Sequence, residues 1–281
     1  MRIGVHVRTG GDLASVADRA VRIGCETVQI FSGNPRSWTK GSLDARGARI
    51  LRRSLDEQSI FPLFVHASYL PNLASPDEAL YERSILLVAE ELVRTSSLAA
   101  QALVLHLGSA GRGERDASAV PARIAAGLRR AYEISGVAAP TLVENSSGGG
   151  ASFGSNFAEI AVLLQLLPGL PVGVALDTAH ASAAGYCLDG GDGWRGLLDE
   201  IEASVGLDSL GLIHANDSRS PCGSRLDRHW HIGEGTIGEE GFRAMGRARE
   251  LAHLPVILET PGHEEEVDRE NLAKMKRLVR D

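Results

Sequence analysis

Short apolar runs recur along this chain at nearly even spacing, each followed by a polar loop and a longer segment of helical periodicity. Strands are expected at Ile3–Val7, Thr27–Phe31, Phe61–Val65, Ala102–Leu105, Thr141–Val143, Gly173–Leu176, Leu210–Ile213 and Val256–Leu258. Runs this short and this rich in Val, Ile, Leu and Phe suit strands buried on both faces. Dividing the 281 residues among these units leaves about 35 for each, enough for a strand, a helix and two loops. The expected fold class is therefore α/β, a single (β/α)8 TIM barrel over residues 1–281, with a doubly wound open sheet as the alternative.

The intervening segments carry helix signals. Asp12 is placed to cap a helix whose apolar face is Leu13, Val16, Ala20 and Ile23 and which Gly24 ends. Pro76 suits the first turn of Asp77–Thr95, and Ser155 or Asn156 opens Phe157–Leu167, stopped by Pro168-Gly169. Further helices fit Gly193–Val205, Glu239–Ala252 and Val267–Arg280, while Gly108–Ser118 and Gly148-Gly149-Gly150 read as mobile loops.

In either architecture functional side chains gather beyond the carboxyl ends of the strands. The third to eighth runs read FPLFV-His66, ALVL-His106, TLV-Glu144, GVAL-Asp177, GLI-His214 and VIL-Glu259. A lone histidine at a strand end is more often a hydrogen-bonded packing residue than a ligand. Six in succession are different, because gathering so many carboxylates and imidazoles in one barrel mouth is unfavourable without cations. Imidazole and carboxylate are the ligands of zinc and similar divalent ions.

Loops add candidates. The stretch Gly211–Gly235 holds His214, Asp217, Asp227, His229 and His231 within 25 residues. His180 follows Asp177 by three positions, and Asp227 precedes His229 by two. His231 has the same offset from His229, so spacing alone does not choose between them. His6 ends the first strand, where a hydrogen bond to a ligand and a packed core role are both open. His253 and His263 read as solvated.

Composition narrows the class. A hydrophobic share of 43% supports a sizeable core, no run of 18 apolar residues occurs, and Met1-Arg2-Ile3-Gly4 leads directly into a strand, so neither a membrane span nor a signal peptide is expected. Cys25, Cys187 and Cys222 lack any CxxC spacing, which argues against a disulfide framework or thiolate zinc site and favours a reducing cytoplasm. The net charge of −7 weighs against a nucleic-acid partner, since phosphate affinity comes from Lys and Arg. Divalent ions held by the acids would offset much of it where a substrate binds.

Five segments then carry a resemblance: His66-Ala67-Ser68-Tyr69-Leu70-Pro71-Asn72-Leu73-Ala74, Glu144-Asn145, Asp177-Thr178-Ala179-His180, His214-Ala215-Asn216-Asp217-Ser218 and Asp227-Arg228-His229-Trp230-His231-Ile232-Gly233-Glu234-Gly235. They resemble, in order, the motifs of the endonuclease IV family of zinc-dependent apurinic/apyrimidinic (AP) endonucleases on (β/α)8 barrels. The resemblance implies three zinc ions per chain: one held by His66, His106 and Glu144, a second by Glu144, Asp177, His214 and Glu259, a third by His180, Asp227 and His229. Pro71, Leu107, Ala175, Ala179 and Arg219 depart from the family's usual residues, but none is a ligand.

It also implies hydrolysis 5′ to abasic sites in double-stranded DNA, giving 3′-hydroxyl and 5′-deoxyribose phosphate ends, with 3′-repair phosphodiesterase activity as an extension. Clustered ions activate water near neutral pH and relieve charge on phosphate and leaving oxygen, so no Ser, Cys or Tyr nucleophile is needed; Glu144 and Glu259 are the catalytic carboxylates. An abasic nucleotide must leave the duplex to be reached, and Arg36, Tyr69 and Leu70 match the family's inserting residues. A packing aromatic at Tyr69 and a solvated charge at Arg36 are the plain alternatives. Arg219, Arg225 and Arg228 are candidates for phosphate contact or solvated loop charges. The enzyme is expected to act as a monomer without membrane partners. Two rivals are a divalent-metal sugar isomerase or epimerase, which needs only Glu144, Asp177, His214 and Glu259, and a non-catalytic DNA-binding relative.

Overall fold

The computed structural model describes residues 1–10, 12–111, 119–262 and 264–280. Parallel strands β1 (Ile3–His6), β2 (Val28–Phe31), β3 (Leu63–His66), β4 (Ala102–Leu105), β5 (Thr141–Glu144), β6 (Val172–Asp177), β7 (Leu210–His214) and β10 (Val256–Leu258) close a barrel in the ring order β1-β10-β7-β6-β5-β4-β3-β2. Outside the ring, β8 (Asp217–Ser218) and β9 (His229–Trp230) form a two-stranded antiparallel ribbon. The closed barrel is the expected one of the two architectures. Of the loops read as mobile, the part of Gly108–Ser118 beyond Gly111 lies outside the described residues, as does His263.

Helices α1 (Val16–Ile23), α2 (Ala45–Glu57), α3 (Glu78–Ser97), α4 (Val120–Ser135), α5 (Phe157–Gln165), α6 (Thr178–Ala184), α7 (Gly191–Ser204), α8 (Gly238–Arg247) and α9 (Glu265–Leu278) follow the strands. The expected caps at Asp12, Asn156 and Gly24 are formed, and Asp77, read as the first helical residue after Pro76, is instead the cap of α3. Asp12 accepts from the Ala14 amide, though it opens a 3-10 turn ahead of α1 rather than α1 itself. Asp77 accepts from Leu80 and Asn156 from Glu159, and Gly24 ends α1 at φ 92°, a left-handed conformation suited to glycine. None of the described helices is long and apolar enough to cross a membrane.

Alternation along the strands explains where the strand-end imidazoles and carboxylates face. Phe64, Ala102, Val104, Leu142, Ala175, Leu212 and Ile257 form one buried cluster inside the barrel. Their neighbours Val65, Leu103, Leu105, Val143, Val174, Leu176, Ile213, Val256 and Leu258 belong to the larger core between barrel and helices. Side chains two apart share a face. Phe64 therefore puts His66 inside, Val104 His106, Leu142 Glu144, Ala175 Asp177, Leu212 His214 and Ile257 Glu259.

The cysteine reading is corrected. Cys187 and Cys222 form a disulfide across 35 positions of sequence, with Cα atoms 5.5 Å apart, while Cys25 is buried and free. Short-range spacing could not show this pair, because the loop after α6 and the loop after β8 meet only in the folded chain. Cysteine usage thus ceases to argue for a reducing compartment.

Candidate metal centre

Glu144 lies at the middle of the barrel mouth and is fully buried. Its Oε2 is 3.3 Å from His66 Nε2 and 3.4 Å from His106 Nε2, while its Oε1 is 3.1 Å from His214 Nδ1 and 3.3 Å from His180 Nδ1. His214 Nδ1 is also 3.4 Å from Glu259 Oε2. On the other side, Asp227 sets one oxygen 3.3 Å from His180 Nε2 and the other 3.3 Å from His229 Nε2, which is itself 3.6 Å from Asp177 Oδ2. Side chains read from six strand ends and two loops are thus brought together.

Grouped by mutual approach within 4.8 Å, donors from these residues form three sets: His66, Glu144, His214 and Glu259; His106, Glu144 and His180; Asp177, His180 and His229. Glu144 belongs to two of them, as a bridging carboxylate would. The grouping differs from the ligand sets implied by resemblance: it leaves out Asp227, joins His180 to His106 and Glu144, and sets Asp177 with His180 and His229.

Hydrogen bonds behind the ring prepare these groups for cations. His66, His180 and His229 each turn Nδ1 to a backbone carbonyl, of Ala67 at 2.7 Å, Asn145 at 3.0 Å and Glu259 at 3.1 Å. A carbonyl only accepts, so Nδ1 carries the proton and Nε2 keeps the lone pair of the neutral ring. Such backing is the usual support of a metal-bound imidazole. Nε2 of His229 is buried without a hydrogen-bond partner, an unfavourable state that a bound ion would relieve. The donor set of imidazoles and carboxylates fits zinc-like ions on these grounds.

Two amides that carried no sequence signal of their own complete the support. Asn145 accepts from the Asp177 amide at 2.7 Å and donates to the Asp177 carbonyl at 3.1 Å. Asn216 donates to Asp177 Oδ2 at 2.6 Å and accepts from the Glu259 amide at 2.7 Å. They stood in the quoted motifs, yet an uncharged amide beside a ligand gives no hint of which backbone it will tie down.

The Gly211–Gly235 stretch divides by role. His214, Asp227 and His229 face the cluster, whereas His231 turns away to Asn271 of α9, Nδ1 to Nδ2 3.1 Å. Asp217 is buried and accepts from the amides of Ser218, Gly235 and Ile237 at 2.8, 3.0 and 3.0 Å. It fastens the loop instead of a ligand. Glycine at 235 permits this, since a Cβ there would fall 2.4 Å from Asp217 Oδ1 and 2.3 Å from the Ser218 carbonyl oxygen. His6 hydrogen-bonds Glu259 at 3.1 Å, and His253 is exposed.

A cavity of about 1090 Å³ opens over the cluster, with Arg36 and Tyr69 in its wall. Tyr69 is 61% exposed and its ring lies 5.2 Å from that of Phe31, so it is not merely core. Leu70 is half-buried. Arg219, Arg225 and Arg228 are exposed on the loop beyond β8; the Arg219 guanidinium sits 4.6 Å over the Trp230 ring, and Arg228 hydrogen-bonds the Asp227 carbonyl at 3.0 Å.

Residues 17–278 match the family model of the xylose isomerase-like TIM barrels. The probable endonuclease 4 of Methanoculleus marisnigri is 39% identical over 279 residues, covering 99% of this chain and 98% of that protein. The crystal structure of endonuclease IV from Thermus thermophilus superposes with a TM-score of 0.88 at 34% identity, over 100% of this chain and 99% of that one. A D-tagatose 3-epimerase-like protein matches at TM-score 0.74 and 18% identity, over 100% of this chain and 98% of that one, which shows a common fold alone. With imidazoles and carboxylates at the strand ends, a buried carboxylate among them and full-length relatives in agreement, the chain belongs to the endonuclease 4 family of xylose isomerase-like TIM barrels.

Proposed function

We propose that this protein is a DNA-repair hydrolase, an AP endonuclease that cleaves the phosphodiester 5′ to abasic sites and leaves 3′-hydroxyl and 5′-deoxyribose phosphate ends. The observation that carries the reading is the buried Glu144, each of whose oxygens faces two imidazoles. The proposal includes three zinc ions, with His66, His106 and Glu144 at the first, Glu144, Asp177, His214 and Glu259 at the second, and His180, Asp227 and His229 at the third. Such ions supply a nucleophile from water near neutral pH, charge relief at the phosphate and stabilisation of the departing oxygen.

This chain's own residues do the rest. Glu144 and Glu259 hold the reacting centre together, and the backing carbonyls and amides fix ring and carboxylate orientation. Arg36, Tyr69 and Leu70 enter the duplex where the base is missing and offset the unstacking cost of a few kcal/mol. Arg219, Arg225 and Arg228 take phosphates. The protein acts as a cytoplasmic monomer on double-stranded DNA, and its reach extends to blocked 3′ ends.

An isomerase or epimerase on the same barrel would leave His66, His106, His180, Asp227 and His229 without work. A duplex oligonucleotide with one abasic analogue, incubated with and without chelator, tests the function. Cleavage 5′ to the lesion, abolished by chelator and restored by zinc, is expected. Glu259→Ala should fold normally, lose bound metal and lower kcat by on the order of 10²–10³-fold, the cost of removing one electrostatic stabiliser. Full activity in the metal-quantified variant, or chelator-resistant cleavage, would overturn the assignment.

A further inference from the structure

One side chain ties two ligands together from a strand that supplies none. Gln29, on β2, is fully buried and its register partner across β2 and β3 is the interior residue Phe64. An amide inside a barrel is costly unless both halves are bonded. Here they are. Gln29 Nε2 donates to Glu259 Oε1 at 2.7 Å, and Gln29 Oε1 lies 2.9 Å from His214 Nε2.

The amide oxygen only accepts, so His214 Nε2 carries a proton and donates it. The lone pair of the neutral ring is thereby placed on Nδ1, the nitrogen 3.1 Å from Glu144 Oε1 and 3.4 Å from Glu259 Oε2. On Glu259, Oε1 is occupied by Gln29 and by His6 Nδ1 at 3.1 Å, which leaves Oε2 for the cluster. From these contacts we propose that Gln29 is a positioning residue of the metal centre: it selects the His214 tautomer and the Glu259 rotamer at once, and so sets how tightly the ion shared by them is held. The inference rests on the metal-centre reading above.

The test uses zinc-loaded wild-type protein, Gln29→Leu and Gln29→Glu, with zinc per chain, the rate of zinc release to a chelator, and the absorption spectrum of the cobalt-substituted protein as readouts. Gln29→Leu keeps the bulk and removes both hydrogen bonds. It should weaken one zinc per chain by roughly 10- to 100-fold, the usual effect of losing such support, alter the cobalt spectrum, and lower kcat with KM for abasic duplex unchanged. Gln29→Glu keeps an acceptor for His214 but sets a like charge against Glu259, and should release zinc faster still. Tyr132→Phe, which removes buried hydrogen bonds to the Ala139 carbonyl and Thr141 hydroxyl, serves as control: it should lower Tm without moving zinc release. Wild-type release rates and cobalt spectrum in the Gln29 variants would overturn the role of Gln29; if Gln29→Leu does not fold, Gln29→Glu alone decides. Wild-type protein that takes up no zinc would instead overturn the metal centre itself.

Discussion

At the scale of single residues, the crowding of charge around Glu144 sets the protonation of the mouth. Burial works against a charged imidazole at His214, yet the Glu259 and Glu144 carboxylates push its pKa up to about 9 from 6.5. Burial likewise opposes ionisation of Asp227, but the His180 and His229 imidazoles bring it down to about 2 from 3.8. His214, raised on folding, contributes stability in full below pH 6.5 that is lost as pH rises through about 9. Asp227, depressed on folding, contributes stability above pH 3.8 that is lost as pH falls through about 2. Metal-stripped protein should therefore show a Tm that declines from pH 6.5 to 9, whereas zinc, which requires the neutral ring, should bind more tightly over the same range. A Tm of the stripped protein that stays level across that window would contradict the assignment of His214.

At the scale of elements, the loop after β8 is fastened to α6 and the loop that follows it at three points: Gly223 N to the Ser182 carbonyl at 2.9 Å and Arg225 N to the Ala183 carbonyl at 2.9 Å, both in α6, and the Cys187–Cys222 bond just beyond it. Since α6 carries His180 and the loop leads into Asp227 and His229, this fastening aligns their side chains. For a 35-residue separation the chain-entropy model gives about 3–4 kcal/mol to such a cross-link. Paired Cys187→Ser and Cys222→Ser changes should lower stability by about that much and lower the occupancy of one zinc per chain. Identical melting and metal content with and without reductant would show the bond to be idle. The strand-end imidazoles and carboxylates were legible because strand alternation links each to an interior apolar residue two positions earlier. The disulfide and the partners of Gln29, Asn145 and Asn216 were not, because they arise from contacts between segments far apart in sequence, and the two-residue strands of the ribbon are too short to show a periodicity. His229 and His231 show the boundary well: equal spacing in sequence, yet His229 lies beside Asp227 and Asp177 while His231 meets Asn271 on a distant helix.

At the scale of the whole molecule, a net charge of −7 must still admit a polyanion. The exposed arginines of the β8–β9 loop and Arg36 in the cavity wall concentrate positive charge beside a mouth whose acids would be offset by cations. Duplex affinity should fall as salt rises, and Arg225→Ala should reduce the log–log salt slope by about one; an unchanged slope would remove Arg225 from the phosphate contacts. The ring order has a consequence for synthesis as well. β10 fits between β1 and β7 and is followed at once by Glu259, so the strand that shuts the barrel also delivers the carboxylate that completes the cluster. A chain still emerging from the ribosome has neither until residue 259 is free to fold. The capacity to cut DNA is thus withheld from every shorter nascent form.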